Sequence, residues 1–194
     1  RRVLFRSDGA GDRVNLRLAT GNAGVMAATN ETVQAAQWPM LLWVYAAVIL
    51  LCLLTYRSLS ATIAIVVPLA VVSMLSNAVM AKLGIGLKVN TLPVAALGVG
   101  IGVDYAIYLY SRMQEDLRAG IGVTEAYFRA LRTTGAAVLF TAVTLSVGVG
   151  TWIFSALKFQ ADMGILLSFM FLANMLGAIL VMPALLRWLR PRAP

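Results

Sequence analysis

The chain has 194 residues, 60% of them apolar and 12% charged, with a mean hydropathy of +0.84. A water-soluble domain of this length needs more charge than that to face solvent on all sides, so the composition excludes one. The net charge of +8 does not indicate a nucleic-acid partner: no basic helix or aromatic-interleaved patch occurs, and the cations flank apolar runs, where topology signals belong.

Residues 1–7, RRVLFRS, resemble the translation of a common sequencing-adapter oligonucleotide and are set aside as an artefact. Without Arg1, Arg2 and Arg6 the charge falls from +8 to +5, and the natural chain is expected to extend upstream of Asp8. Residues 8–37 read as the end of an exterior, periplasmic domain. Within them, residues 12–20 alternate Val14, Leu16 and Leu18 with polar or small neighbours, the period of a strand with one buried face. Its partners are expected upstream, since one strand is not stable alone. Gly21 and Asn22 end it, and Gly24 to Gln37 reads as a helix running into the membrane, with a bend at Pro39.

Residues 38–190 read as a transmembrane domain of five spans, at about 40–56, 60–81, 90–111, 134–157 and 162–187. Each has the roughly 20 apolar residues that cross a hydrocarbon core as a helix. Trp38, Trp43, Tyr56 and Trp188 sit at their ends, as interfacial aromatics do. The fold class is therefore an all-α polytopic membrane protein, because a backbone in lipid must satisfy its own hydrogen bonds. Between the third and fourth spans, residues 123–133 place Val123, Tyr127 or Phe128, and Leu131 at helical spacing, with Thr124 as cap and Glu125 in the first turn. This segment reads as a helix on the membrane surface or, equally, as a solvated connector.

Arg57, Arg112, Arg118, Arg129, Arg132, Arg187, Arg190 and Arg192 fall on one side of this arrangement; Lys82, Lys88 and Lys158 fall on the other. The arginine-rich side is expected in the cytoplasm, which leaves the N-terminal segment outside and the C-terminus inside. Cys52 is the only cysteine and there is no histidine, so neither an internal disulfide nor a transition-metal site is expected, and no cofactor is implied.

Of the acidic residues, only Asp104 lies within an apolar run. Insertion scales put a mid-membrane aspartate at roughly +2.5 to +3.5 kcal/mol, so the residue needs a use or a strong partner. Removal from water disfavours its charged form, and a carboxyl group that can exist in either state is what a proton relay needs. Ala96, Gly100, Asp104, Tyr108 and Ser111 share one helix face, while Gly98 and Gly102 form a second small stripe roughly opposite. A helix thin on two sides packs closely on both, which predicts a central position. Tyr105 supplies a phenol beside the carboxylate. In the fourth span Thr141, Thr144, Gly148, Thr151 and Ser155 form a hydroxyl stripe. It either lines a proton path or satisfies its own backbone; Asn77 and Asn174 read as interhelical hydrogen bonders. The string GVGIGVD lacks the strand a dinucleotide site requires, and no Walker-type loop occurs, so an ion gradient is the expected energy source.

The run LPVAALGVGIGVDYAIYLYSR, residues 92–112, resembles the charged central helix of the RND superfamily, in particular its MMPL-like lipid exporters. LGIGLKVNT, ALRTTGAAVLFTAVTLSVG and RLATGNAGVMAATN are similar to the same family. The resemblance implies one half of a two-half transporter of the bacterial inner membrane, the C-terminal half being favoured by the basic tail. It implies a missing first half as partner, homo-oligomers as one possibility, and proton-driven export of hydrophobic or lipid-like cargo. It also assigns Asp104 and Tyr105 as the relay, Gly98, Gly100 and Gly102 as close packing around it, and Tyr108, Thr141 and Thr144 as path lining. A sterol- or lipid-sensing module and a protein-export accessory half-transporter are the alternatives; a membrane enzyme is remote, since no nucleophile, metal site or acid–base pair is visible.

Overall fold

The computed structural model describes residues 3–6, 15–18, 22–85 and 92–189. Lys88, residues 90 and 91 of the third expected span, the tail from Arg190, and residues 12–14 and 19–20 of the expected strand lie outside these. β1 (Val3–Arg6) and β2 (Asn15–Leu18) pair antiparallel, Val3 opposite Leu18 and Arg6 opposite Asn15. β2 falls inside the segment read as a strand, but its partner lies in residues 1–7. The hairpin therefore carries nothing about an exterior-domain sheet.

Among the described residues, five helical stretches are long and apolar enough to cross a membrane: Glu31–Tyr56, Leu59–Lys82, Val94–Arg118, Val123–Phe154 and Lys158–Leu189. The first belongs to α1 (Asn22–Tyr56), whose 35 residues give about 52 Å, well beyond a ~30 Å core. The expected entry helix and first span are thus one helix, which continues through Pro39. It ends in a two-residue turn. There Arg57 takes a left-handed φ of 48° and Ser58 caps α2 (Leu59–Lys82), its Oγ accepting from the Ala61 amide. Pro68 inside α2 is buried, packed close to Gly177 of the fifth span.

α3 (Leu92–Arg118) holds the third span. The fourth is built from α4 (Val123–Ala130), a π segment (Leu131–Gly135), α5 (Ala136–Gly150) and a 3-10 turn (Thr151–Phe154). Helical dihedrals continue from Ala130 through Ala136, so the expected surface helix is no separate element but the start of the fourth span's helix. Its N-cap is Gly122 rather than Thr124, and Glu125 bonds Arg129 one turn on. α6 (Lys158–Leu176), a second π segment (Gly177–Val181) and α7 (Met182–Leu189) make the fifth span.

Half of the apolar window of the third and fifth spans is buried, against 11% and 17% for the first and fourth. α3 and α6 are therefore the centre, with α2 against both, α1 against α2 and α3, and α5 against α6. One core gathers Cys52, Ile65, Val99, Tyr105, Leu109 and Leu186; a second, smaller one gathers Met80, Val94, Leu166 and Phe171. Large apolar side chains such as Leu50, Met74, Phe140 and Leu180 remain exposed on the outside, where lipid rather than water is the solvent. The chain is an all-α, multi-pass membrane protein.

Candidate functional site

α3 presents three surfaces. One, Gly98 and Gly102, receives α6. A methyl group built on Gly98 would meet Met170 at 2.3 Å, and one on Gly102 would meet the Asn174 amide at 2.3 Å. The absent side chains let Asn174, 3% exposed, reach across and donate from Nδ2 to the Gly98 carbonyl at 2.9 Å. A second surface turns inward: Val99, Ala106, Leu109, Tyr110 and Met113 are buried in the larger core together with Tyr105, 2% exposed. Near the arginine-rich end Tyr56 of α1 fixes this surface, its hydroxyl 2.8 Å from Ser111 Oγ and its ring edge-on to Tyr110 at 4.8 Å.

The third surface is open. Gly100, Asp104 and Tyr108 are all exposed, and a methyl group on Gly100 would touch nothing within 4 Å. Asp104 stands ten residues beyond Val94, the first residue of the span, and fourteen before Arg118, its last. That is about 15 Å along the axis, half the ~30 Å hydrocarbon depth. No ion pair or hydrogen bond engages it among the described residues. The residues chosen from sequence thus separate by direction. Gly98 and Gly102 pack within the chain, Gly100, Asp104 and Tyr108 face outward, and Tyr105 points into the bundle. The Tyr105 phenol oxygen is buried without a hydrogen-bond partner, so the adjacent pair does not form a bonded unit within this chain.

Thr141 and Thr144 lie on the exposed side of α5, and no hydrogen bond joins them to Asp104 or Tyr105. Thr151 bonds back to the Gly148 carbonyl, and Ser155 takes the Leu157 amide at the turn into α6, so the far end of that stripe serves local backbone. The hydroxyls that do bridge helices are Ser146 and Ser168. Each donates to the other's carbonyl, at 2.7 and 2.9 Å, and clasps α5 to α6. Their shared direction was readable only with both helices in place; a serine alone on an apolar helix carries no such signal. Asn174 makes the interhelical bond its sequence context suggests, whereas Asn77 is exposed and makes none among the described residues. Among the described residues no cluster of metal-ligating side chains occurs.

The bundle carries a carboxylate midway along its central, glycine-striped helix, and the MMPL family description matches residues 10–193. The chain belongs to the MMPL family. It is 29% identical over 184 residues to the membrane protein ActII-3 of Streptomyces coelicolor, covering 87% of this chain and 25% of that protein. It is 28% identical over 158 residues to a Mycobacterium tuberculosis protein named as transport protein MmpL12, covering 75% of this chain and 14% of that one. Protein translocase subunit SecDF of Brucella abortus is 30% identical over 115 residues, 48% of this chain and 15% of SecDF. The chain therefore spans a quarter or less of the length of these relatives.

Proposed function

We propose that the chain is the membrane domain of one half of a transporter that exports hydrophobic or lipid-like molecules at the expense of a proton gradient, with Asp104 as the group that gains and loses the proton. The observation that carries this is the place of Asp104: mid-span, on the central helix, on a face this chain leaves uncovered. A charged carboxylate turned to lipid would cost roughly 2.5–3.5 kcal/mol, so a protein surface has to cover it. The relatives are long enough to supply a second half.

Charged, Asp104 demands water or a donor at that junction; neutral, it tolerates close apolar packing. The two states favour different approaches of the two halves, and an ion gradient sets their populations. One charge moved through 100 mV supplies about 2.3 kcal/mol, enough to bias such an equilibrium. Tyr105 is the second member of the relay. Its phenol, without an acceptor in the core, gains a bond only when α3 shifts, which would tie protonation to helix movement. Gly100 permits the close approach and Tyr108 lines the junction. The setting is a bacterial inner membrane, with the N-terminal segment periplasmic and the arginine-rich ends of the spans cytoplasmic. A second reading, an accessory to protein export, is favoured by the identity with SecDF.

The test is Asp104→Asn in the full-length protein, with export of hydrophobic molecules and membrane abundance measured together. Export is expected to fall to background while abundance is unchanged; wild-type export by that variant refutes the relay. Collapsing the proton gradient separates a transporter from a lipid sensor, whose response would persist.

A further inference from the structure

At the arginine-rich end of the bundle, the first turns of the fourth span and the last turns of the fifth enclose a groove that the relay does not use. Ala126 and Ala130, fully buried, press α4 onto the bundle, and Tyr127 locks it by donating from its hydroxyl to the Ile179 carbonyl at 2.9 Å. The other side of α4 is open, with Phe128 55% exposed, and on the facing α7 Trp188 is 80% exposed. Between α4 and α7 lies a hollow of about 310 Å³ whose walls include Val123, Tyr127, Phe128, Pro183, Ala184 and Arg187. Across the ridge made by Thr124 and Phe128, a second hollow is bordered by Glu125, Arg129 and Arg132. Glu125 accepts from Arg129 at 2.6 Å, and that pair is balanced. Arg132 and Arg187 have no carboxylate within ion-pair distance among the described residues.

We propose that this groove holds an anionic phospholipid of the adjoining leaflet, its phosphate on Arg187 and an acyl chain along Tyr127, Phe128 and Pro183. Arg132 adds positive potential from across the ridge. The charge of the occupant follows from two arginines without a carboxylate partner among the described residues and one neutralised pair; its apolar part follows from aromatic walls left bare at the level where spans end. A free anion would use the arginines but not those walls. Because Tyr127 is bonded to the fifth span, a lipid seated there would steady the ends of two spans at once. The inference rests on the reading that this end faces the anionic leaflet.

Native mass spectrometry of the full-length protein, carried from micelles containing phosphatidylglycerol or phosphatidylcholine, tests it. Phosphatidylglycerol is expected to be retained in preference, and Arg187→Gln to lower that retention about fivefold, the effect of one surface arginine. Arg118→Gln, at the same end but outside the groove, is expected to leave it unchanged. Equal loss in Arg118→Gln, no loss in Arg187→Gln, or equal retention of phosphatidylcholine overturns the proposal. Should Arg187→Gln fail to fold, Phe128→Ala decides: it is expected to lower retention, and wild-type retention overturns the proposal. The transport-dead Asp104→Asn is expected to bind phosphatidylglycerol like wild type, so failure of the relay and failure of this site are read separately.

Discussion

Adding one methyl group at Gly102 is a direct test of how α3 and α6 are held. In Gly102→Ala the new Cβ would lie 2.3 Å from Nδ2 and 2.4 Å from Cγ of Asn174, and 2.8 Å from a Leu69 methyl. The leucine tip can rotate away. Asn174 cannot move without giving up its bond to the Gly98 carbonyl, in a buried site where its own carbonyl oxygen already has no partner. Overpacking of this kind costs about 1–3 kcal/mol, and the lost hydrogen bond about 0.5–1.5 kcal/mol. Alanine returns up to about 1 kcal/mol through helix propensity. A net loss of about 2 kcal/mol is expected, read as a lowered unfolding temperature of the purified full-length protein. Gly148→Ala, where nothing lies within 4 Å, serves as the control and is expected to be neutral or slightly stabilising. Adding Asn174→Ala to Gly102→Ala removes the clashing amide, so the double variant should be less destabilised than the sum of the singles. Equal melting of Gly102→Ala and Gly148→Ala, or strict additivity with Asn174→Ala, would refute the interlock.

Tyr105→Phe removes a buried hydroxyl that has no acceptor in the chain, so thermal stability should hold or rise while export is lost if that phenol serves the relay. Ser146→Ala opens one side of the clasp with Ser168 and should cost roughly 0.6–1.7 kcal/mol in the same melting assay, the range for hydroxyl bonds between membrane helices. Gly100→Leu fills a position open within the chain; if a second half covers that face, export should fall although the membrane level of the protein is kept.

The number of spans was legible because lipid demands long uncharged helices, and that demand is written residue by residue. Asp104 was legible for the complementary reason: one carboxylate in such a run is conspicuous. Sequence spacing also separated Gly98 and Gly102 from the face of Gly100 and Asp104. It could not say which stripe packs inside the chain, because that depends on the shape of α6, where Met170 and Asn174 stand one turn apart. Spacing marked residues 123–133 as a helix or, equally, a connector. That this helix runs on without a break into α5 follows from its small residues, Ala126 and Ala130, which dock on protein. Pro39 lies within a continuous helix, where the hydrogen bond it removes is lost from one turn among nine or ten.

The two π segments, Leu131–Gly135 and Gly177–Val181, give neighbouring spans one residue of slack apiece at the same end of the bundle. Tightening the second into ordinary α geometry would wind everything beyond it by about 100°. Met182 and Leu186 would swing out of the interior, and the Ile179 carbonyl would leave the reach of Tyr127. Deleting one residue from the segment, by contrast, would take up the slack and leave the facing of α7 unchanged. The helix is thus wound so that its last two turns stay in phase with their neighbours only while the wide turn persists.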